Sequence, residues 1–324
     1  MLGPLTTLPR VLSLQSHVVS GYVGNRAAVF PLQLLGFDVD FINSVQYSNN
    51  SAYQSCRGSN MTGSELSEVV AGLEDNGLLH YDWLLTGYIG AESVLEGVPA
   101  LLDKLLTENP TLKYFCDPVM GDHGEYYVPE AMVKIFIDKI VPRAYMIKPN
   151  QFEAELLTGV SIHTETDVVH AITKMLLMGP QVVVLSSSEL EDRPGRLSCY
   201  AARKLIVSDD SSTIRIEFNR IEVEKVNAYF TGTGDATSAL MLAWTHILSE
   251  HHLGTALRNT LASIKGIVSI VAAKQTTPLS AKKRTSAEIR SAEFCVVEGK
   301  SLIENPPLES MPMYEQWEIS VPVV

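Results

Sequence analysis

The chain is expected to form a three-layer α/β domain, a doubly wound, mostly parallel sheet with helices on both faces. Two features carry this expectation. Short β-rich apolar runs alternate with longer segments of helical period from residue 11 to about 190, and several of those runs are apolar at every position. Sustained strand–helix alternation builds crossover units between parallel strands. A strand with no polar face is one covered by helices on both sides.

VLSL (11–14), DFIN (40–43), DWLLT (82–86), KYFC (113–116), YMI (145–147) and QVVVLS (181–186) read as the strands, being short and rich in β-branched or aromatic residues. The helices between them have recognisable starts. TGSE (62–65) is a capping box, and NQFE (150–153) and TETD (164–167) have the same form: the first side chain accepts an orphan N–H while the fourth reaches back. Beyond about residue 190 the rhythm changes. LSCYAARKLIV and STIRIEFNRIEV read as antiparallel strands joined by the polar turn SDDSS (208–212). A glycine turn, a helix to about 249 and another from about 254 to 273 follow. The remainder carries AKKR (281–284), a short helix over 285–292 and the proline-rich ENPPLESMPM. Residues 1–280 are thus expected to form a single domain, with 281–324 as a C-terminal extension packed on it or trailing it.

A hydrophobic content of 46% with 19% charged residues fits a globular chain with a substantial core. The net charge of −12 argues against nucleic-acid or anionic-membrane binding, because both rely on a basic surface that releases counter-ions. It leaves room for a phosphate ligand that arrives with Mg²⁺. Cys56, Cys116, Cys199 and Cys295 form no C-x-x-C pair, so neither a zinc site nor a redox dithiol is expected. MLGPLTTLPR has no signal-like apolar stretch, and IKGIVSIVAA is short and contains Lys265. No membrane span is expected, and the cytoplasm is the expected location. AKKR reads as a solvated charge run.

The chemistry gathers around FTGTGDATSALMLAW (230–244). A helix start after a glycine turn is an anion site, because free N–H groups and the positive dipole end point outward. Yet Asp235 sits at that junction. GTGD is no dinucleotide fingerprint, since Thr237 stands where the third glycine belongs and the turn comes late in the chain. Neither a P-loop nor a G-x-S-x-G elbow occurs. Three further segments end strands with polar groups: KYFCDPVMGD (113–122) with Asp117 and Asp122, KPNQFE (148–153) with Asn150 and Glu153, and SSS (186–188). Ligands of doubly wound sheets bind beyond the carboxyl ends of strands. Hard oxygen donors in that number suit Mg²⁺ held together with nucleotide phosphates. The Gly232–Gly234 turn would then stabilise a phosphoryl group in transfer while Asp235 faces the attacking hydroxyl. An alcohol is about as weak an acid as water, pKa roughly 15.7, against roughly 3.9 for a free aspartate. Asp235 can therefore take that proton only late, as the nucleophile bonds to phosphorus.

These residues resemble the ribokinase superfamily, and within it the vitamin B6 kinase branch. GTGD, DPVMGD and KPNQFEAELLTG fit. So does SLQSHVVSGYVGNRAAVFPLQLLGFDVDFINSVQYSNN (13–50) almost throughout, with LLTGYIG (84–90) and VVVLSSSEL (182–190). The resemblance covers about residues 10–275 and is loose after about 280. It implies a ribokinase-like fold and ATP-dependent phosphorylation of the 5′-hydroxymethyl group of pyridoxal, pyridoxine and pyridoxamine. Carried over by position, Ser16, just past the first strand, and Ser51 would hydrogen-bond the pyridine substituents. Val23, Tyr47 and Tyr88 would form the walls, the two tyrosines otherwise serving as core aromatics. Asp117, Asn150, Ser186, Ser187 and Thr233 would line the ATP phosphates and their cations. Asp117, Asp122 and Glu153 would serve Mg²⁺, mostly through water. Gly232 and Gly234 would form the anion hole, Asp235 would be the base, and Tyr127 would lie on a flap over the reaction centre. A homodimer is also implied.

Two departures from the family pattern stand out. Lys148 replaces a small hydroxyl residue that helps hold a monovalent cation. Its ammonium either substitutes for the ion, which predicts weak or absent K⁺ activation, or turns to solvent. The flap DHGEYYVP is shorter than that of animal relatives. Two alternatives stay open: a hydroxymethylpyrimidine kinase of the same superfamily, and a non-catalytic B6-binding scaffold.

Overall fold

Side chains alternate between two cores along the central strands. Strand β1 (Arg10–Val18) sends Val11 to one face and Leu12 and Leu14 to the other, and β4 (Trp83–Thr86) divides Trp83 and Leu85 from Leu84 in the same way. Period-2 geometry forces this division, and both faces are covered. In this computed structural model, residues 8–205, 213–275 and 284–322 are described. The turn SDDSS and AKK of AKKR lie outside them.

Between β1 and β4 come α1 (Asn25–Leu34), β2 (Asp38–Tyr47), the short β3 (Gly58–Asn60) and α2 (Gly63–Asp75). Then follow α3 (Glu92–Glu108), β5 (Lys113–Cys116), the small hairpin β6 (Gly121–Asp122) and β7 (Glu125–Tyr126), α4 (Ala131–Ile135) and β8 (Met146–Ile147). Helices α5 (Gln151–Thr158) and α6 (Glu165–Leu177) precede β9 (Val182–Ser188), β10 (Arg196–Leu205) and β11 (Thr213–Glu224). The chain continues with α7 (Thr233–Leu248), α8 (Leu253–Ala272), α9 (Ser286–Ala292), α10 (Lys300–Glu304) and β12 (Glu315–Pro322). All three expected capping boxes form, at Thr62, Asn150 and Thr164, and a fourth starts α9 at Thr285.

The ten-stranded sheet runs β12-β11-β10-β9-β8-β5-β4-β1-β2-β3. Its six middle strands, β9 to β2, are mutually parallel, and the outer ones are antiparallel. Helices α2, α3, α5 and α6 pack on one face and α1, α7 and α8 on the other. Chain order reverses between β1 and β4, so the crevice beyond their carboxyl ends is the topological switch point where such sheets bind ligands.

One expected position shifts: Ser16 lies inside β1, which runs on to Val18 through an irregular register step after Gln15, whereas SSS ends β9 as expected. The extension packs by two means: Phe294, Val296 and Ile303 are buried against α7 and α8, and β12 adds an edge strand on which Trp317 stacks over Phe218. No described helix is long and apolar enough to cross a membrane.

Candidate active site

The glycine turn is packed directly against the loop after β1. Gly232 caps α7 with φ of +88°, and a Cβ there would lie 1.7 Å from the carbonyl oxygen of Tyr22. Only glycine allows both the left-handed backbone and that approach. Next to it, Val23 leads into Gly24, whose N–H donates to Oδ2 of Asp235 across 2.8 Å. Gly24 is itself pressed on Ser16: a Cβ on it would meet the Ser16 carbonyl oxygen at 2.0 Å and the hydroxyl at 2.3 Å. One glycine thus brings Ser16 and Asp235 to the same place. Burial, reinforced by the charge of Asp117, pushes the Asp235 carboxyl up to about 6, against the opposing pull of Gly24 N–H and Lys148.

The second half of the site is built where β5 and β8 end. Asp117 follows β5 directly and is buried, with Oδ2 accepting the Ser238 hydroxyl at 2.6 Å and lying 3.2 Å from Nζ of Lys148. Ser238 stands three residues after Asp235 in α7, hence on the same helix face. Burial raises the Asp117 carboxyl, and Lys148 and Ser238 work against that shift. Burial opposes charge on Lys148 too, but Asp117, Glu153 and Asp235 outweigh it and the ammonium is held protonated.

Asn150 and Glu153 share the capping box that starts α5. Asn150 Oδ1 accepts the Glu153 N–H, and its Nδ2 donates to the Gly121 carbonyl of the flap hairpin. Glu153 accepts N–H groups on both oxygens, from Met120 at 3.0 Å and Asn150 at 2.8 Å. Burial and then Asp117 push its carboxyl up. Ser186 bonds the Pro149 carbonyl, joining β9 to this rim, and Ser187 beside it is half-buried. Thr233 opens α7 over the glycine turn.

The residues expected to hold the ring are less tightly bound. Tyr88, half-buried after β4, donates to the Tyr127 carbonyl at 3.4 Å, linking it to the segment after the β6–β7 hairpin. Tyr127 is otherwise exposed, its N–H held by Met120. Tyr47 hydrogen-bonds Asn60 across β2–β3, and Ser51 is exposed on the following loop. Asp122 bonds within its own turn, to the His123 N–H. Buried polar atoms of His17, Asn50 and Thr231 have no partner. They neighbour Ser16, Ser51 and Gly232 in the chain, and such orphans call for a ligand or water.

Among the described residues no three His, Cys, Asp or Glu side chains form a metal cage. Glu153 has both oxygens engaged. Asp117 and Asp122 supply hard oxygen donors of the type taken by an ion that keeps several waters, as Mg²⁺ does. Sequence reasoning missed Gly24, Ser238 and one strut from the extension. There Glu293, paired with Arg290, accepts the Tyr53 hydroxyl at 2.9 Å, while the Thr231 N–H donates to the Ala292 carbonyl and the Thr231 carbonyl accepts the Phe294 N–H. The i,i+3 spacing of Asp235 and Ser238 was the one available signal.

Comparison with known proteins identifies the family. A family model described as phosphomethylpyrimidine kinase matches residues 78–277. The pyridoxal kinase of Bos taurus is 41% identical over 310 residues, covering 92% of this chain and 96% of its own. That of Arabidopsis thaliana is 47% identical over 238 residues, 73% and 74% of the two chains. The structure of Leishmania donovani pyridoxal kinase with ADP and pyridoxamine superposes with a TM-score of 0.83 at 29% identity, over 96% of this chain and 99% of that one. With this sheet, this rim and these similarities, the chain belongs to the pyridoxal kinase family.

Proposed function

We infer that this protein transfers the γ-phosphoryl group of ATP to the 5′-hydroxymethyl group of pyridoxal, and of pyridoxine and pyridoxamine, with Asp235 as the base. One observation carries the assignment of the base. Asp235 lies in the first turn of α7, and its carboxylate accepts the Gly24 N–H beside Ser16. That answers the conflict between an anion site and an acid: the N–H groups after Gly232 serve the phosphoryl oxygens, and the carboxylate serves the hydroxyl.

In this reading Ser16, Ser51, Val23, Tyr47 and Tyr88 hold the B6 ring, and Tyr127 on the flap excludes water from the transfer. Asn150, Ser186, Ser187 and Thr233 orient the phosphates. Asp117 and Asp122 would hold Mg²⁺, and Glu153 would act through water while fixing the start of α5. When bound, the ion neutralises charge on the transferring phosphoryl group. Asp235 accepts the hydroxyl proton as the O–P bond forms, and a carboxyl poised near 6 suits that task at neutral pH. The reading also includes a cytoplasmic homodimer, which light scattering would test.

Residues 13–50 favour a B6 vitamer over hydroxymethylpyrimidine. They lie outside the 78–277 match, whereas the match to the Bos taurus enzyme covers 92% of this chain and so reaches into them. The test is ADP release from Mg-ATP with pyridoxal, hydroxymethylpyrimidine or ribose, for wild type and Asp235→Ala. Pyridoxal-dependent release lost in the variant supports both substrate and base. Release with hydroxymethylpyrimidine alone would overturn the substrate, and ATP binding without release would indicate a scaffold.

A further inference from the structure

Lys148 and Asp117 meet because the sheet register makes them meet. Phe115 pairs with Met146 and Cys116 with Ile147 in parallel, so the residues that follow leave the two strands side by side. A lysine stem is long enough to carry its head to water. Here it does not: the Lys148 side chain is 4% exposed and that of Asp117 is 3%. Among the described ion pairs it is the one with both partners almost wholly enclosed. Burying an ammonium costs hydration, offset here by Asp117, Glu153 and Asp235 together.

A dissolved monovalent cation does not fit beside this Asp117 oxygen. Oδ2 already accepts the Ser238 hydroxyl and faces Nζ, so both of its lone-pair directions are used. An ion bound there would also sit against a like charge. We propose that the Lys148 ammonium is the site's own tethered monovalent cation, so that phosphoryl transfer proceeds without K⁺. Lys148 acts through Asp117 as a positioning residue, holding that carboxylate at the rim. Whatever negative charge Lys148 does not offset is left to the divalent ion that accompanies ATP. The inference rests on the kinase reading above.

Potassium dependence tests it. With tetramethylammonium as the sole monovalent cation, wild type should release ADP with pyridoxal as fast as in KCl. Lys148→Thr removes the charge and opens the space. It should lose activity on the order of 10²-fold, the scale for one preorganised electrostatic group, and regain most of it with K⁺ or NH₄⁺. K⁺ should raise the Tm of that variant and leave the wild-type Tm unchanged. Lys148→Met fills the space without charge and should stay slow in either salt. Wild-type turnover that climbs with K⁺ would overturn the proposal, and that comparison needs no variant to fold. A folded Lys148→Thr as active as wild type without K⁺ would overturn it too. No pyridoxal-dependent turnover in any salt would instead overturn the kinase reading, and this inference with it.

Discussion

The N–H of Gly24 donates to Oδ2 of Asp235 at 2.8 Å, tying together residues 211 positions apart. The bond holds one carboxylate oxygen of Asp235 against the loop after β1. Asp235→Asn keeps the shape and can still accept from Gly24, but it cannot take a proton. Its kcat should fall by roughly 10²-fold or more, the scale of a positioned base, with ATP affinity by calorimetry little changed. Full activity in this variant would sink the base assignment.

The same carboxyl sets an acid limit. Burial and Asp117 raise it to about 6, and the working form is the ionised one, which prevails above that pH. The value of log kcat/KM should therefore decline with unit slope as pH falls through about 6 and level off above it. A decline delayed until roughly pH 4, the range of a free aspartate, would count against a buried base.

Two glycines of one turn should respond differently. A Cβ at Gly232 would strike the Tyr22 carbonyl at 1.7 Å from a backbone at φ +88°, whereas a Cβ at Gly234 meets nothing within 4 Å. Gly232→Ala should lower Tm, with strain on the order of 1–3 kcal/mol. Gly234→Ala should keep its Tm and raise KM for ATP, since its new methyl enters the space assigned to phosphate. Equal Tm losses in both variants would refute the distinction.

Tyr53 lies two residues after Ser51, and Glu293 holds its hydroxyl at 2.9 Å. Burial, then Glu293, push that hydroxyl's pKa up to about 12, so it remains a donor. Tyr53→Phe or Glu293→Ala should loosen the acceptor loop and raise KM for pyridoxal more than KM for ATP. Steady-state kinetics with each substrate varied will show whether the two constants move apart.

Features set by neighbours in the chain were legible beforehand. The central strands are apolar on both faces, and the Asn150–Glu153 box is complete within four residues, so both could be read locally. EQWEISVP alternates and is largely exposed, and β3 is only three residues long, so neither edge strand announced itself. The site divides in the same way. Asp117 and Asp235 show themselves by the strand and the turn they adjoin. Gly24 looks like any loop glycine until a residue from the other end of the chain closes on it. Lys148 had two readings, and only the pairing of β5 with β8 chooses the buried one.

All six parallel strands lie within the first 188 residues, whereas α7 begins at Thr233. The ribosome delivers a chain from its N-terminus at about 5–20 residues per second. A nascent molecule can therefore assemble Asp117, Lys148 and Glu153 around the nucleotide rim seconds before the helix bearing Asp235 emerges. During that interval the ammonium is already in place to offset two buried acids, and the carboxylate proposed as the base has yet to be made.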